Sequence, residues 1–245
     1  MSMHPAEGDR LPVGLFGASG RMGRALQTRL ADHPRLYCAA VAGRNERADF
    51  SGCVALIDFS LPGAIDALLE QLPERCPLVS GVTGYTPTQW ARLEEHGSRA
   101  PLLWAANFSL GIAALRFLAR EAARRLPDFE VELFEFHHRQ KQDAPSGTAL
   151  ALAEEVAKGR GEALTLRDPF APRATPGELG VSVSRAGQVI GEHTLFFCGF
   201  GERIELTHRA QERGLFADGA LRATEALIGR PAGRYELEQL LWEEV

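Results

Sequence analysis

The residues between 135 and 148 hold the side chains best suited to chemistry. Two adjacent histidines, His137 and His138, lie shortly before Lys141. An imidazole with a pKa of about 6.5 can donate a proton near neutral pH, and a lysine adds a full positive charge. Together these side chains indicate proton transfer to an anionic substrate, with His137 and Lys141 as candidate catalytic residues.

The same segment ends where a helix is predicted to begin. Ser146 is a good N-cap residue, and Pro145 precedes it. Gly147 and Thr148 would then present backbone N–H groups at the positive end of the helix dipole. Such a helix start suits a carboxylate, so the segment predicts an anion site beside the histidines.

Each of these features also has a purely structural interpretation. A pair of adjacent histidines is more often structural or exposed than catalytic, and Lys141 alone is typical of a surface lysine. A metal site is not predicted, because neighbours on an extended strand point to opposite faces and the sequence offers no evident third ligand. The functional interpretation depends on the whole combination.

A glycine-rich loop near the start of the chain is the second candidate site. It comprises Gly17, Ala18, Ser19, Gly20, Arg21 and Met22, followed by Gly23. Glycines let backbone amides approach a pyrophosphate closely, and a helix start adds N–H groups. The spacing is G-x-x-G-x-x-G rather than the commoner G-x-G-x-x-G. The loop predicts a dinucleotide site, and a tight turn before a helix is the alternative.

The end of the second predicted strand bears on which dinucleotide binds. Its sequence, Val41-Ala42-Gly43-Arg44-Asn45, lacks the acid that usually contacts the ribose 2′-hydroxyl. Arg44, together with Arg21, could instead pair with a 2′-phosphate. That interpretation favours NADPH, and a solvated loop arginine is the alternative for Arg44.

The elements around the glycine loop alternate between strands and helices. Apolar runs predict strands at 12–16, 36–41, 54–59, 77–80 and 102–106, and helical spacing predicts helices at 21–30, 62–72 and 86–93. This alternation predicts an α/β, Rossmann-like domain over residues 1–107, with a parallel sheet and helices on both faces.

After residue 107 the pattern changes. Helices are predicted at 112–126 and 146–158, and strands at 129–136, 181–185, 189–198 and 203–208, with a loop over 159–178. In the first of these strands, Glu130, Glu132 and Glu135 are set against Val131 and Leu133 as a half-exposed pattern. Gly187-Gln188 is expected to turn the second strand into the third, as in a meander.

These elements predict a second, α+β domain over residues 108–215, with a mostly antiparallel or mixed sheet, for substrate binding and oligomerisation. The helix at 216–228 belongs to a C-terminal segment, 216–245, that is expected to return to the dinucleotide-binding domain.

Composition narrows the class of protein. The chain has 245 residues and a net charge of -5, without the basic patch of a nucleic-acid-binding protein. Its cysteines are widely spaced and form no C-x-x-C pair, which indicates reduced thiols. No apolar run approaches the roughly 20 residues of a membrane span, and no signal-peptide pattern precedes the first strand. We expect a cytoplasmic protein with no membrane or nucleic-acid partner.

The segment from 135 to 148 resembles the E-x-H-H-x-x-K-x-D-A-P-S-G-T signature of the dihydrodipicolinate reductase family at every fixed position. Other stretches resemble the same family in order along the chain: Gly17 to Gly23, Asp58-Phe59-Ser60, Gly81-Val82-Thr83-Gly84, Ala105-Ala106-Asn107-Phe108-Ser109, Gly191-Glu192-His193-Thr194 and Glu202 to Ala210. The resemblance extends over about residues 12–230. It departs at Ala42-Gly43, where the family often has an acid.

The resemblance implies NAD(P)H-dependent reduction of 4-hydroxy-tetrahydrodipicolinate to tetrahydrodipicolinate, on the route to diaminopimelate and lysine. His137 would donate a proton to the ring, and Lys141 would bind a carboxylate and assist. His138 would contact the substrate, and the Gly147 and Thr148 amides would hold the other carboxylate. Two loops would line the nicotinamide pocket: Gly81, Val82 and Thr83, and Ala105, Ala106, Asn107 and Phe108. The resemblance also implies a homotetramer and NADPH, NADH or both as cofactor.

Three other functions are weighed against this one. Another nicotinamide-dependent dehydrogenase of a small amino or dicarboxylic acid could share the two-domain plan, since the fold hosts many reactions. A nucleotide sensor would need the glycine loop but not the histidines and Lys141. A metal hydrolase built on the histidine pair lacks evident ligands.

Overall fold

A computed structural model describes residues 10–43, 46–168, 171, 175 and 177–242. The chain divides into two units. The first unit comprises the residues up to Ser109 together with those from Arg213 onward, and the second unit comprises Leu110–Glu212. Gly17–Met22 lie in the first unit and residues 135–148 in the second, so the two candidate sites belong to different units.

The first unit is built on a six-stranded sheet in which every pairing is parallel. Its strand order is β10-β5-β4-β3-β1-β2. The strands are β1 (Leu11–Phe16), β2 (Leu36–Ala42), β3 (Ala55–Asp58), β4 (Leu78–Ser80), β5 (Pro101–Trp104) and β10 (Gly233–Tyr235). All four residues of β3 are buried, as expected of a central strand covered on both faces. The predicted Rossmann-like parallel sheet is confirmed.

The helices of the first unit are α1 (Arg21–Ala31), a 3-10 turn (Pro62–Ala64) leading into α2 (Ile65–Gln71), α3 (Pro87–Gly97), α6 (Gly214–Leu227) and α7 (Leu237–Trp242). Thr86 and Gln89 form a capping box at the start of α3, which satisfies two backbone donors there. Helix α6 packs against α1, so the chain returns to the first unit. Neither β10 nor α7 was predicted, since a three-residue strand and a six-residue helix leave little periodic signal.

The second unit has a four-stranded sheet with the order β7-β6-β8-β9. Its elements are α4 (Leu110–Arg125), β6 (Glu130–His137), α5 (Gly147–Arg160), β7 (Leu179–Arg185), β8 (Glu192–Gly199) and β9 (Glu202–Arg209). Strand β6 pairs with β7 in parallel and with β8 antiparallel, which confirms a mixed sheet. The expected meander is wrong, because β6 lies between β7 and β8. The Gly187-Gln188 turn therefore does not join neighbouring strands.

One face of this sheet carries the core of the second unit. Val131, Leu133, Leu195 and Phe197 are buried together with residues of α4 and α5. Along β6 the alternate positions 131, 133, 135 and 137 are all buried. The grouping of Glu135 with the exposed glutamates is thus corrected: it shares the parity of Val131 and Leu133, and its exposed fraction is 0%.

Two further findings bear on the class of protein. Within the described part of the chain, no helix is both long and apolar enough to span a bilayer. Cys38, Cys53, Cys76 and Cys198 are all free thiols.

Candidate active site

The glycine loop joins β1 to α1 and depends on glycine at two positions. Gly17 has φ of +83°, and a Cβ there would lie 2.7 Å from the Phe59 backbone. A Cβ on Gly23 would overlap the Gly17 carbonyl. The absence of side chains lets the start of α1 pack directly on the loop, which is the geometry of a phosphate-binding strand–turn–helix.

Some of the predicted phosphate-binding amides are used within the protein. Gly17 N and Ala18 N both donate to the Ala42 carbonyl, and Gly20 N donates to the Gly17 carbonyl. Arg21 and Met22 lie in the first turn of α1, where backbone N–H groups point out of the helix end. Ser19 is exposed at the tip of the loop. The backbone N–H groups of the loop that could bind an anion are therefore those of Ser19, Arg21 and Met22.

A cavity of about 310 Å³ adjoins this loop. Glu46 lines it, and its carboxylate accepts a hydrogen bond from Gly43 N at 2.7 Å. A Cβ on Gly43 would lie 2.6 Å from the Glu46 carboxylate, so glycine makes room for this contact. Sequence inspection missed Glu46, because the residue lies beyond the strand end and only its side-chain contact with Gly43 N brings its carboxylate there. Arg44 lies outside the described residues.

The two predicted nicotinamide loops follow β4 and β5 and are joined to each other. Trp104 Nε1 donates to the Val82 carbonyl at 2.6 Å. The backbone N–H of Ala105 donates to the Ser80 carbonyl at 3.2 Å. Thr83 and Ala106 are exposed. These contacts hold both loops at the carboxyl end of the parallel sheet, where ligands of this fold class bind.

Phe108 and Gly81, one from each loop, pack inside the first unit. Phe108 is 2% exposed, and its ring lies 5.4 Å from that of Phe59. A Cβ on Gly81 would overlap the Phe59 ring. Asn107 Oδ1 accepts a hydrogen bond from Ser109 N at 2.8 Å. Phe108 thus has a packing role in the first unit.

In the second unit, the end of β6 and the start of α5 bring the predicted residues together. His137 is buried and His138 is half-buried. Lys141 Nζ lies 2.9 Å from the Asp143 carboxylate. The Ser146 side chain caps α5 by accepting a hydrogen bond from Ala149 N.

Gly147 and Thr148 form the first turn of α5. Gly147 is exposed, and a Cβ there would meet nothing within 4 Å. The start of this helix is therefore open, and its N-cap Ser146 Oγ lies 3.3 Å from the His193 imidazole.

A buried carboxylate that was not predicted to be functional links these parts. Glu135 Oε1 accepts a hydrogen bond from Arg185 Nη2 at 2.7 Å, and Oε2 accepts one from Ser146 N at 3.1 Å. Oε2 also lies 3.8 Å from His137 Nδ1 and 3.8 Å from His193 Nε2. Three strands and the α5 start therefore meet at one carboxylate.

Burial dominates the electrostatics of the two histidines. It lowers the pKa of His137 to about 4 and that of His193 to about 3. Burial alone would raise the pKa of Glu135, but hydrogen bonds from Ser146 and Arg185 outweigh it and leave the pKa lowered. At neutral pH the protein without ligand holds neutral imidazoles beside a charged carboxylate.

Glu135, His137 and His193 could also act as metal ligands, since their ligating atoms lie within 4.8 Å of one another. Sequence inspection found no evident third ligand, because His193 comes from a distant strand, where sequence spacing gives no signal. Both oxygens of Glu135 are already engaged, one by the cationic Arg185. The pairing with Arg185 disfavours a second cation at this carboxylate.

Sequence inspection also missed Arg185 and Gly191. A Cβ on Gly191 would lie 3.0 Å from His137 Nε2, so this glycine leaves space for the imidazole. Only the parity of β6 could have pointed to Glu135, because a buried glutamate requires partners.

Two family models match the chain in succession. The model described as "Dihydrodipicolinate reductase, N-terminus" matches residues 11–108, and "Dihydrodipicolinate reductase, C-terminus" matches residues 111–241. Together they extend over most of the sequence.

Individual proteins agree with the family models. A 4-hydroxy-tetrahydrodipicolinate reductase of Stenotrophomonas maltophilia (strain K279a) is 42% identical over 245 residues, covering 93% of this chain and 96% of the relative. One of Xanthomonas euvesicatoria pv. vesicatoria is 42% identical over 244 residues, with the same coverage of both chains. A solved structure, a dipicolinate-bound dihydrodipicolinate reductase from Paenisporosarcina sp. TG-14, has a TM-score of 0.77 at 22% identity, covering 95% of this chain and 100% of the other. At that identity the structural likeness supports the fold alone.

Proposed function

Because the chain belongs to the dihydrodipicolinate reductase family, we propose that it reduces 4-hydroxy-tetrahydrodipicolinate to tetrahydrodipicolinate, on the route to diaminopimelate and lysine. The chain is an NAD(P)H-dependent oxidoreductase of that family. The conversion replaces a ring hydroxyl by hydrogen, so it consumes one hydride and one proton and releases water. The observation that carries the proposal is that Glu135 contacts both His137 and the backbone N–H of Ser146 at the start of α5. Lys141 acts electrostatically on the same histidine.

The first unit fits a nicotinamide dinucleotide. When bound, the reduced nicotinamide supplies the hydride. The exposed Ser19 and the first turn of α1, with Arg21 and Met22, would hold the pyrophosphate, while Gly17, Ala18 and Gly20 keep the loop in shape. The loops Gly81–Thr83 and 105–108 would contact the nicotinamide at the carboxyl end of the sheet.

The substrate carries two carboxylates at a fixed separation, and the second unit offers two anion sites. Lys141 would bind one carboxylate, which would replace Asp143 as its partner or bind beside it. The backbone of Gly147 and Thr148 would hold the other at the helix start, with His138 contacting the same ligand. Two anchored carboxylates fix the orientation of the ring, which lowers the entropic cost of the reaction.

Loss of water would remove the ring hydroxyl together with one hydrogen of the neighbouring ring carbon. After hydride adds where the hydroxyl was, His137 would donate a proton to that neighbouring carbon. In the protein without ligand its pKa is about 4 because of burial, so it is neutral at pH 7. A dianionic substrate nearby favours the protonated imidazole. We therefore propose that His137 takes up its proton when the substrate binds.

The choice of cofactor would depend on opposing charges around the adenosine ribose. Glu46, which lines the cavity beside the glycine loop, can accept hydrogen bonds from ribose hydroxyls and would repel a 2′-phosphate, favouring NADH. Arg21, with Arg44, favours NADPH. We propose that both cofactors are used and that Glu46 limits the use of NADPH.

The outer face of the second unit's sheet offers a surface for oligomerisation. Phe134, Phe136 and Phe196 occupy alternate positions on this face, and none of them is fully buried. The opposite face carries the core with α4 and α5. We propose that copies of the chain pair through this face, with its three phenylalanines, in a homotetramer. We also propose that the enzyme works in the cytoplasm, where its thiols stay reduced.

Genetic complementation tests the proposed function. A bacterial strain that lacks this reductase requires diaminopimelate, and expression of the chain should restore growth without it. The His137→Gln variant, produced at the same level, should not. Failure of the wild-type chain to restore growth, when the protein is present and folded, would contradict the proposal.

A further inference from the structure

Glu135 is a buried carboxylate without a part in the chemistry described so far. It is 0% exposed, and its two oxygens accept hydrogen bonds from Arg185 Nη2 and Ser146 N. Arg185 also donates to the Asp143 carbonyl at 2.6 Å and to the Ser184 carbonyl at 2.9 Å. A carboxylate held from both sides in this way keeps a fixed position, which suits it to orient another group.

One of the two imidazoles that face this carboxylate is that of His137. Its Nδ1 is buried and makes no hydrogen bond within the described residues, and Glu135 Oε2 lies 3.8 Å away. That distance is an electrostatic contact rather than a hydrogen bond, and contacts of this kind commonly shorten when a substrate binds. An unpaired buried nitrogen is costly, so the approach of Glu135 would stabilise the protonated ring.

We propose that Glu135 is a positioning residue for His137: its fixed carboxylate orients the imidazole through Nδ1–H and balances the charge of the imidazolium. The proton for transfer is then carried on Nε2. This proposal rests on the proposed role of His137 as proton donor.

The charges around His137 explain why such a partner is needed. The charged and titratable groups that face His137 come from β6, β7, β8 and the loop after β6, and are Glu135, Lys141, Asp143, Arg185 and His193. Lys141 and Arg185 oppose protonation of His137, whereas Glu135 and Asp143 favour it. Glu135 is the buried one of these two acids, so its charge is screened least by solvent.

His193 completes the arrangement. It lies opposite Glu135 in the β6–β8 ladder, and its Nε2 is 3.3 Å from Ser146 Oγ. Its ring centre is 5.1 Å from that of His137. A neutral His193 that carries its proton on Nε2 directs this N–H toward Ser146 and Glu135. It therefore stabilises the ionised carboxylate without adding a positive charge that would oppose protonation of His137.

The test compares Glu135→Gln with a matched variant, Glu155→Gln, in the intact protein. Glu155 is also a buried glutamate of the second unit, paired with Arg116 and Lys158. We expect Glu135→Gln to lower kcat by about tenfold to hundredfold, with KM changed less than about threefold. The high-pH limb of the kcat profile should move to lower pH, and Glu135→Asp should move it back in part.

A second measurement does not need turnover. In 15N-histidine-labelled protein without substrate, neutral His137 should carry its proton mainly on Nδ1, and this tautomer should decline in Glu135→Gln but not in Glu155→Gln. Arg185→Gln should shift the pKa of His137 upward, the opposite direction from Glu135→Gln. If Glu135→Gln does not fold, the Arg185→Gln titration and the wild-type tautomer decide the question.

The outcomes separate the two proposals. An unchanged pH profile and unchanged tautomer, with only a loss of stability, would make Glu135 a structural brace and overturn the inference. The inference would also be overturned if Glu155→Gln lowered kcat and shifted the pH profile as much as Glu135→Gln does. If the wild-type protein had no reductase activity, the proposed function would fail, while the tautomer measurement would still decide whether Glu135 orients His137.

Discussion

Glu135 and His193 lie directly opposite each other in the β6–β8 ladder, with Oε2 and Nε2 3.8 Å apart. In the parallel β6–β7 ladder, His137 lies opposite Arg185 in the same way. The register of two strand pairs therefore places a carboxylate, two imidazoles and a guanidinium on one face of one sheet. A one-residue slip of either pairing would turn these side chains to the other face.

Substitution of Gly147 tests the anion site at the start of α5. A Cβ at this position would meet nothing within 4 Å, so Gly147→Val should change the free energy of unfolding by less than about 0.5 kcal/mol. If a substrate carboxylate binds the backbone here, the added side chain should raise KM about tenfold or more, which corresponds to about 1.4 kcal/mol. Steady-state kinetics and urea unfolding measure the two effects.

Gly52→Val is the control, since a Cβ at Gly52 also meets nothing within 4 Å and the residue lies in the first unit. Its KM should equal that of the wild-type protein. An unchanged KM in Gly147→Val would remove the anion-binding role of this helix start.

Substitution of His137 tests its role as proton donor. His137→Gln should lower kcat by about 10²–10⁴-fold, the usual range for the loss of a general acid. Binding of the reduced cofactor, followed by nucleotide fluorescence, should stay unchanged because the glycine loop belongs to the other unit. A loss of less than about tenfold would mean that water or another group delivers the proton.

Stability should depend on pH through the same histidines. Burial lowers the pKa of His137 to about 4 and of His193 to about 3, whereas in the unfolded chain both titrate near about 6.5. Below pH about 6.5 the unfolded chain therefore binds more protons, and the free energy of unfolding falls toward pH about 4. The slope should reach about 1.4 kcal/mol per pH unit for each histidine.

Urea unfolding of wild-type and His193→Gln proteins across this window measures the slope. The free energy of unfolding of the variant should fall less steeply on acidification, by about 1.4 kcal/mol per pH unit. Equal slopes in the two proteins would show that His193 is as readily protonated in the folded state as in the unfolded chain.

Substitution of Glu46 tests the choice of cofactor. Its carboxylate lines the cavity next to the glycine loop, so Glu46→Gln should remove repulsion from a 2′-phosphate. We expect the NADPH-to-NADH ratio of kcat/KM to rise by about tenfold. Glu74→Gln, an exposed acid of the same unit outside this cavity, is the control. A ratio that stays constant in Glu46→Gln would assign the discrimination to other residues.

Much of the fold follows from periodicity. The five predicted strands of the first unit coincide closely with β1 to β5, because buried parallel strands are short apolar runs between turn residues. Periodicity did not predict β10, whose three residues lie at an edge of the sheet, or the insertion of β6 between β7 and β8. Pairing order depends on packing between distant segments, which local patterns do not encode.

The candidate site residues that could be predicted are likewise those that lie close together in the sequence. Residues that share a short segment, such as His137, Lys141 and Gly147, could be found together because the loop and the helix start that position them are local. Glu46 was missed because it lies beyond the strand end, and only the structure shows that its carboxylate accepts a hydrogen bond from Gly43 N. His193 and Arg185 approach Glu135 only through strand pairing, a long-range relation.

The most direct test of the reductase function is a coupled assay. Dihydrodipicolinate synthase would generate the unstable substrate in place, and the absorbance of reduced nicotinamide would be followed with NADPH and then with NADH. We expect oxidation that requires both the substrate and the protein, with tetrahydrodipicolinate as the product identified by mass. Folded protein that binds nucleotide but oxidises neither cofactor would contradict the function proposed for this chain.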